Sequence, residues 1–247
     1  MKPEKQSRLA AGLGWIRVQG GGLTLAKPAR SVRSPMQSAV GIWNFMKIAE
    51  VQTTRKWILG GSIAISVLMF AVTNSSLERG IGVDKLIEWA GIFAIVVCIA
   101  GRTWCSLYIG GRKIEQFVTV GPYSVVRNPL YVFSIIGTAG AGAQHGSWVV
   151  ALVLGLLVLA LFYAVTLQEE RLLAERYGAA FAAYKASVPR LLPNPGLWRD
   201  NPTLTIMPPK VLRTFADAMF FLLAIPLSDA LEHFQQIGVL PVLFRLP

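Results

Sequence analysis

Cysteine and histidine are the scarcest reactive side chains of this 247-residue chain, with two of each. Cys98 and Cys105 are seven residues apart, which places them on one helical face but too far apart along a helix to form a disulfide. We expect both to be small packing residues. No P-loop, HExxH motif or paired-cysteine metal spacing is present, so no metal site is predicted. With only His145 and His233 available, the sequence also argues against a serine hydrolase and its histidine base.

Charged residues are also few, at 15% of the chain against about 25% in a typical soluble domain. Hydrophobic residues make up 53%, and the mean hydropathy is positive. This composition is typical of an integral membrane protein. The net charge of +11 comes from basic residues that stand beside apolar runs. Anionic headgroups and the positive-inside rule account for that excess, so we predict a lipid bilayer as partner and no nucleic acid.

The longest stretch without a charge covers residues 128–168. Because about 20 apolar residues cross a bilayer, this stretch is long enough to cross twice. Its only polar, turn-forming cluster is 144–147, which predicts a helical hairpin with a turn there and a solvated His145 within the turn. The two ends of a hairpin emerge on the same membrane face. The loop 121–131 should therefore lie beside Glu169 and Glu170.

The predicted fold is an all-α integral membrane protein with four to five transmembrane helices, one helical hairpin and one cytoplasmic amphipathic helix. The predicted spans are 57–76, 86–107, 129–144 and 147–168, and the amphipathic helix covers 171–185. The segment 211–231 has an apolar run broken by Pro226 that is short for a span. Interfacial, re-entrant and crossing placements of this segment stay open.

Three parts of the chain are distinguished by composition. Residues 1–50 form a basic arm, disordered or at the membrane surface, although its arginine-rich and acid-poor sequence also resembles a transit peptide. Residues 51–196 form the membrane domain, and 197–247 form a tail with a short apolar segment. Lysine and arginine beside the spans predict a multi-pass protein of the bacterial inner membrane, with the 121–131 loop facing the cytoplasm.

One arginine lies inside a predicted span. Arg102 stands near the end of the second span, where the usual behaviour is to snorkel toward the headgroups. The alternative is that Arg102 faces the protein interior and binds an anion or the carboxylate of a substrate.

The loop and the facing carboxylates together form a candidate site. Gly121-Pro122 and Asn128-Pro129 predict two turns, and Pro129 suits the first position of a helix. Arg127 and the amides that begin this helix could hold a carboxylate. Glu169 and Glu170, with nearby aromatic rings, could hold a cation. The chemistry suits a zwitterionic ligand, although the same pairs also occur at ordinary helix ends.

Two motifs in this order resemble the isoprenylcysteine carboxyl methyltransferase family. They are FVTVGPYSVVRNPLY at 117–131 and EERLLAERYGAAFAAYKASVPRLLP at 169–193. The resemblance implies an integral membrane enzyme that binds S-adenosyl-L-methionine without a Rossmann domain. Such an enzyme methylates a carboxylate, thiol or amine of a lipophilic or small acceptor. The implied cofactor-binding residues are Glu115, Gln116, Phe117, Val118, Tyr123, Asn128, Pro129, Leu130, Tyr131 and Glu169, with Glu170, Tyr184 and Arg190 as further candidates. The catalytic candidates are Arg127, Asn128 and Glu169, and Arg102 is the substrate candidate.

The sequence departs from the family pattern at two positions. Asn128 replaces a histidine, and asparagine forms hydrogen bonds but does not carry a proton at neutral pH. Val165 stands where the prenylcysteine enzymes have an acceptor-binding arginine. The asparagine keeps open the alternative of a non-enzymatic membrane scaffold or transport component with the same fold. A membrane reductase of the sterol type, which shares a related helical core, is a further alternative.

Overall fold

The computed structural model describes residues 16–19, 22–25, 61, 64–75, 82–109, 118–202, 204 and 206–246. The chain forms two compact units, Met1–Ala49 and Glu50–Pro247, which are described separately. In the first unit, strand β1 (Ile16–Gln19) pairs antiparallel with strand β2 (Gly22–Leu25). Apolar and polar residues alternate along β1, a pattern typical of a strand. The predicted basic arm thus contains some regular structure.

The second unit is mostly helical. From residue 83 onward its helices are α1 (Val83–Ile109), α2 (Pro122–Val125), α3 (Pro129–Ala143), α4 (Trp148–Tyr177), α5 (Ala179–Ser187), α6 (Pro208–Met219) and α7 (Ala224–Gln236). Short 3-10 turns cover Pro195–Leu197 and Phe220–Leu223.

Several of these helices have the length and composition of membrane spans. Within the described parts of the chain, three helical stretches are long and apolar enough to cross a bilayer, namely Val83–Ile109, Trp148–Tyr177 and Pro208–Gln236. The apolar helix Pro129–Ala143 is shorter. Large apolar side chains such as Phe93 are exposed on the bundle surface, as lipid contact requires. The protein is therefore a helical membrane protein.

Helices α1 and α3 approach each other closely at a pair of glycines. A Cβ atom on Gly91 would lie 2.7 Å from the carbonyl oxygen of Gly140, and a Cβ on Gly140 would lie 2.7 Å from that of Gly91. Small residues allow such contact between membrane helices, where packing drives association. This contact fixes α3, and with it the residues that begin α3, against α1.

The turn between α3 and α4 coincides with the polar cluster at 144–147. The hydroxyl of Ser147 accepts a hydrogen bond from the Val150 amide at 3.3 Å and so caps α4. Gly146 has φ +68, which a residue with a side chain rarely adopts. The side-chain amide of Gln144 donates to the Glu88 carbonyl at 3.1 Å and ties the turn to α1.

Helix α4 is longer than predicted. It passes Glu169 and Glu170 without a break and ends at Gly178, whose φ is +52. Helix α5 follows, so the predicted amphipathic helix over 171–185 is divided between two helices. The physical reason is that charges end the apolar segment but do not end a helix, whereas a glycine with positive φ does.

The first predicted span is described only at residues 61 and 64–75, where 64–72 are helical. Strand β3 (Thr73–Ser75) then pairs in parallel with strand β4 (Phe244–Leu246). The side-chain amide of Gln235, at the end of α7, donates to the carbonyl oxygens of Phe70, Ala71 and Thr73 at 2.9–3.1 Å. These bonds satisfy carbonyl groups that a helix end leaves open.

The environment of His145 differs from the solvated turn that was expected. Its ring stacks on Phe70 with centroids 5.2 Å apart, and its Nε2 lies 3.0 Å from the hydroxyl of Thr73. The expectation was wrong because the helix that precedes β3 packs over the α3–α4 turn. Since Gln235 bonds to Thr73, the end of α7 lies at the same end of the bundle as His145.

Candidate functional site

The central contact of the site joins the beginning of α3 to the last third of α4. The hydroxyl of Tyr131 donates to Oε1 of Glu169 at 2.8 Å. The Tyr131 ring is buried and stacks on Phe162, with centroids 4.5 Å apart. The 121–131 loop and the glutamate pair therefore lie at the same end of the hairpin.

The loop that precedes α3 has a fixed backbone. Gly121 has φ +60, and a Cβ atom there would collide with the ring of Tyr108. The hydroxyl of Ser124 donates to the Gly121 carbonyl at 2.7 Å and accepts from the Arg199 amide at 2.9 Å. The Gly121 amide donates to the Arg199 carbonyl at 2.7 Å. Both turns, at Gly121 and at Asn128-Pro129, are present as predicted.

The segment 188–200 lies along this loop and is hydrogen-bonded to it. Main-chain bonds join the Arg127 amide to the Pro189 carbonyl at 2.8 Å and the Asn194 amide to the Val125 carbonyl at 3.0 Å. The side-chain amide of Asn128 donates to the Arg190 carbonyl at 3.3 Å. Of this segment, the sequence predicted only Arg190 as a candidate site residue. The VPRLLP part of the second motif was the signal that the segment belongs to the site.

Tyr123 contributes an unsatisfied polar group. Its side chain is buried on α2, and its hydroxyl has no hydrogen-bond partner among the described residues. Burial raises the pKa of this hydroxyl well above its usual value, and the charge of Glu169 adds to the rise. The hydroxyl is thus a neutral donor near the Tyr131–Glu169 pair. An unpaired buried hydroxyl costs about 1–3 kcal/mol, which a ligand atom in hydrogen-bond reach would offset.

Glu170 has different partners from its neighbour Glu169. Its side chain is 6% exposed and receives two hydrogen bonds from Arg190, each 2.9 Å long. Nε of Arg127 lies 3.1 Å from Glu170 Oε1, and Nζ of Lys185 lies 3.8 Å from Oε2. The bond to Glu170 raises the pKa of Arg190. This network joins α4, the end of α5 and the 121–131 loop.

Arg127 and Tyr184 complete that junction. A terminal nitrogen of Arg127 donates to the Lys185 carbonyl at 2.7 Å. The hydroxyl of Tyr184 donates to the Tyr123 carbonyl at 2.7 Å, and burial raises the pKa of this tyrosine, so it stays a neutral donor. Both side chains therefore hold α5 against the loop.

The predicted site residues fall into three groups. Asn128, Pro129, Leu130 and Tyr131 lie at the start of α3, with Tyr123, Val118 and Glu169 close by. Glu170, Arg127, Tyr184 and Arg190 form the adjacent junction. Glu115, Gln116 and Phe117 lie outside the described residues.

Arg102 faces the protein interior. Its guanidinium donates to the hydroxyl of Ser134 on α3, and that hydroxyl donates to the Leu130 carbonyl at 2.7 Å. The expectation that Arg102 snorkels was wrong, because a buried acceptor on the neighbouring helix is within its reach. The two helices pack closely at Gly101, because a Cβ atom at this position would collide with the Phe133 ring of α3.

Among the residues that the structure describes, no group of three or more His, Cys, Asp or Glu side chains is gathered as a metal ion would require.

A helical membrane bundle with a loop and a carboxylate pair at one end of a hairpin defines the class of this protein. The profile of the phospholipid methyltransferase family matches residues 91–180, which include both the loop and the glutamates. The chain belongs to this family of isoprenylcysteine methyltransferase-like membrane proteins.

Two curated relatives have names that refer to metal resistance. The chain is 35% identical over 190 residues to the cobalt-zinc-cadmium resistance protein CzcN of Cupriavidus metallidurans, covering 77% of this chain and 86% of the relative. It is 29% identical over 227 residues to the nickel-cobalt-cadmium resistance protein NccN of Alcaligenes xylosoxydans xylosoxydans, covering 90% and 98%. No solved structure matches the chain.

Proposed function

We propose that this protein is a membrane methyltransferase that uses S-adenosyl-L-methionine. The observation that carries the proposal is the Tyr131–Glu169 hydrogen bond beside the unsatisfied hydroxyl of Tyr123. All three residues lie within the part of the chain that matches the family profile. The match also favours a methyltransferase over the reductase alternative.

The side chains fit a zwitterionic cofactor with a sulfonium centre. Glu169 supplies a carboxylate for the positive charge, and Tyr131 and Tyr123 supply phenolic hydroxyls. In the first turn of α3 the amides of Tyr131 and Val132 donate to the Asn128 carbonyl, and Pro129 has no N–H. The Leu130 amide is therefore the one that can meet the carboxylate of a ligand. The side-chain nitrogen of Asn128 donates to the Arg190 carbonyl. The side-chain oxygen of Asn128 can then accept a hydrogen bond from the ligand.

When bound, this cofactor supplies an already activated methyl group for transfer to a nucleophile. The chain then has to orient the acceptor and exclude water, which can lower a barrier by several kcal/mol. Asn128 cannot act as a base, so the acceptor must arrive as a competent nucleophile. In this proposal Glu169 is the residue that contacts cofactor, and Arg127 is a positioning residue that acts through Glu170.

The membrane topology is proposed from the two ends of the last helical stretch. Leu204 packs near Tyr108 and Tyr123 at the loop end of the bundle, whereas Gln235 bonds to Thr73 at the turn end. The stretch Pro208–Gln236 therefore runs from one end of the bundle to the other, which favours a crossing over an interfacial or re-entrant placement. We place the loop end in the cytoplasm of a bacterial inner membrane, as the basic residues favour.

Calorimetric titration of the purified protein in lipid nanodiscs tests the proposal. Saturable binding of S-adenosyl-L-methionine is expected, and Glu169→Gln should weaken it about tenfold to a hundredfold, as loss of a charged hydrogen-bond partner does. Glu175→Gln is the matched control, since Glu175 is exposed on the same helix. Absence of binding by the parent protein would overturn the enzyme assignment.

A second candidate function is a non-enzymatic membrane component of metal resistance. The names of the two relatives and the asparagine at position 128 favour it. The two candidates differ in one outcome. Metal tolerance of cells that carry Glu169→Gln should fall if methyl transfer is the function, and should be unchanged if the protein acts only through its fold.

A further inference from the structure

Positive charge exceeds negative charge around Glu170. Three cations, Arg190, Arg127 and Lys185, lie within 3.8 Å of this single carboxylate. The neighbouring Glu169 accepts a hydrogen bond from Tyr131 on the other side of the site. Even with Glu169 counted, the cations outnumber the carboxylates. The surplus charge is available to an anion from outside the protein.

This cluster borders the lipid-facing surface of α4. The guanidinium of Arg190 lies 5.0 Å from the centroid of the Tyr163 ring. Tyr163 precedes Glu170 by seven residues, about two helical turns, so both lie on one stripe of the helix. Tyr163 is 47% exposed, and Leu167 on the same stripe is also exposed. Arg190 therefore lies where the apolar stripe ends, at the depth of the headgroups.

The cations retain hydrogen-bond donors that Glu170 does not use. Arg190 gives its Nε and one terminal nitrogen to the carboxylate, and its guanidinium also interacts with the Tyr163 side chain. Because a guanidinium has five N–H groups, donors remain for a further acceptor. The side chain of Lys185 is 52% exposed and lies 3.8 Å from the carboxylate. Leu192, close by in sequence, is 83% exposed and offers an apolar contact.

We propose that Arg190 and Lys185, with Tyr163 beside them, bind the phosphate group of an anionic membrane lipid. Guanidinium and ammonium groups bind phosphate oxygens through charge-assisted hydrogen bonds. Tyr163 and Leu192 would contact the first part of an acyl chain. The lipid site includes Arg190, which the family resemblance gave only as a further cofactor candidate, but not Glu169, Tyr131 or Tyr123, which carry the proposed cofactor site. Its occupation does not require the cofactor.

Native mass spectrometry of the full chain, loaded with phosphatidylglycerol or phosphatidylcholine of identical acyl chains, tests the proposal. Selective retention of phosphatidylglycerol is expected. Lys185→Gln should lower its affinity about fivefold, the effect of one lysine at a membrane surface. The matched control is Lys210→Gln, because Lys210 is exposed on α6 and away from the Glu170 cluster, and this variant should retain the lipid. Arg190→Gln also removes a partner of the buried Glu170, so Lys185→Gln is the deciding variant.

Three results would overturn the lipid site: equal retention of the two lipids, equal losses in Lys185→Gln and Lys210→Gln, or displacement of the lipid by inorganic phosphate at the same concentration. The outcome is separate from that of the proposed function. Retention of phosphatidylglycerol without binding of S-adenosyl-L-methionine would contradict the enzyme assignment alone.

Discussion

Glu169 and Glu170 are adjacent in sequence, yet the structure gives them separate partners. Glu169 accepts a hydrogen bond from Tyr131 at 2.8 Å, whereas Glu170 is bound by Arg190 through both oxygens at 2.9 Å. Neighbouring residues of a helix point about 100° apart, so one side chain reaches the start of α3 and the other reaches the segment after α5. The two carboxylates therefore contact different parts of the structure, and in the proposed function Glu169 binds the ligand whereas Glu170 holds the loop, α4 and α5 together.

The first prediction follows from this division. Glu170→Gln should lower the free energy of unfolding by about 3 kcal/mol, because it leaves the partly buried Arg127 and Arg190 without their counter-charge. Glu169→Gln should change stability much less and reduce cofactor affinity instead. Thermal unfolding in detergent and calorimetric titration measure the two effects. Equal losses of stability in the two variants would contradict the division.

The helical hairpin shows what could be predicted from sequence. The turn at 144–147 was predictable because it is the only polar cluster in a long charge-free stretch, and such a stretch has few ways to return to water. The proximity of Tyr131 and Glu169 follows from that turn alone. The extension of α4 to Tyr177 was not predicted, although Gly178 was a usable signal for the end of a helix.

Long-range polar contacts could not be predicted in the same way. The segment 188–200 is held by main-chain bonds, such as that from the Arg127 amide to the Pro189 carbonyl, which periodicity and charge do not reveal. Only the VPRLLP part of the second motif indicated that this segment belongs to the site. The inward direction of Arg102 depends on Ser134 lying opposite, 32 residues away in sequence. Periodicity identifies the face of a helix but does not identify its partner.

Tyr123→Phe separates ligand binding from stability. Because the Tyr123 hydroxyl is buried without a partner among the described residues, its removal should leave the free protein equally stable or more stable by about 1 kcal/mol. If the hydroxyl bonds to the cofactor, affinity should fall about fivefold to tenfold. Unfolding curves with and without S-adenosyl-L-methionine measure both. A clear loss of stability in the free variant would show that the hydroxyl has a structural partner.

The role of position 128 can be tested by restoring the histidine of the family pattern there. In Asn128→His, a ring N–H can replace the side-chain amide that donates to the Arg190 carbonyl, so cofactor affinity should stay within about threefold of the parent. In Asn128→Asp, the carboxylate cannot donate at neutral pH, and affinity should fall at least about fivefold. The two variants are compared by calorimetric titration at one pH. If both lose affinity equally, the donated hydrogen bond is not what position 128 contributes.

If the last helical stretch crosses the membrane as proposed, Val239 and Ala183 should lie on opposite sides of it. Both positions are exposed, and the native Cys98 and Cys105 are buried, so a new cysteine at either position should dominate labelling. In Val239→Cys, a membrane-impermeant maleimide should react from outside intact spheroplasts. In Ala183→Cys, it should react only after permeabilisation. If both variants require permeabilisation, residues 208–236 return to the cytoplasmic face instead of crossing. Gln235 bonds to Thr73, which lies beside His145 of the α3–α4 turn. The turn would then also lie within the membrane. That arrangement would leave the charge-free hairpin with no aqueous face for its polar turn, so the labelling tests the crossing and the hairpin together.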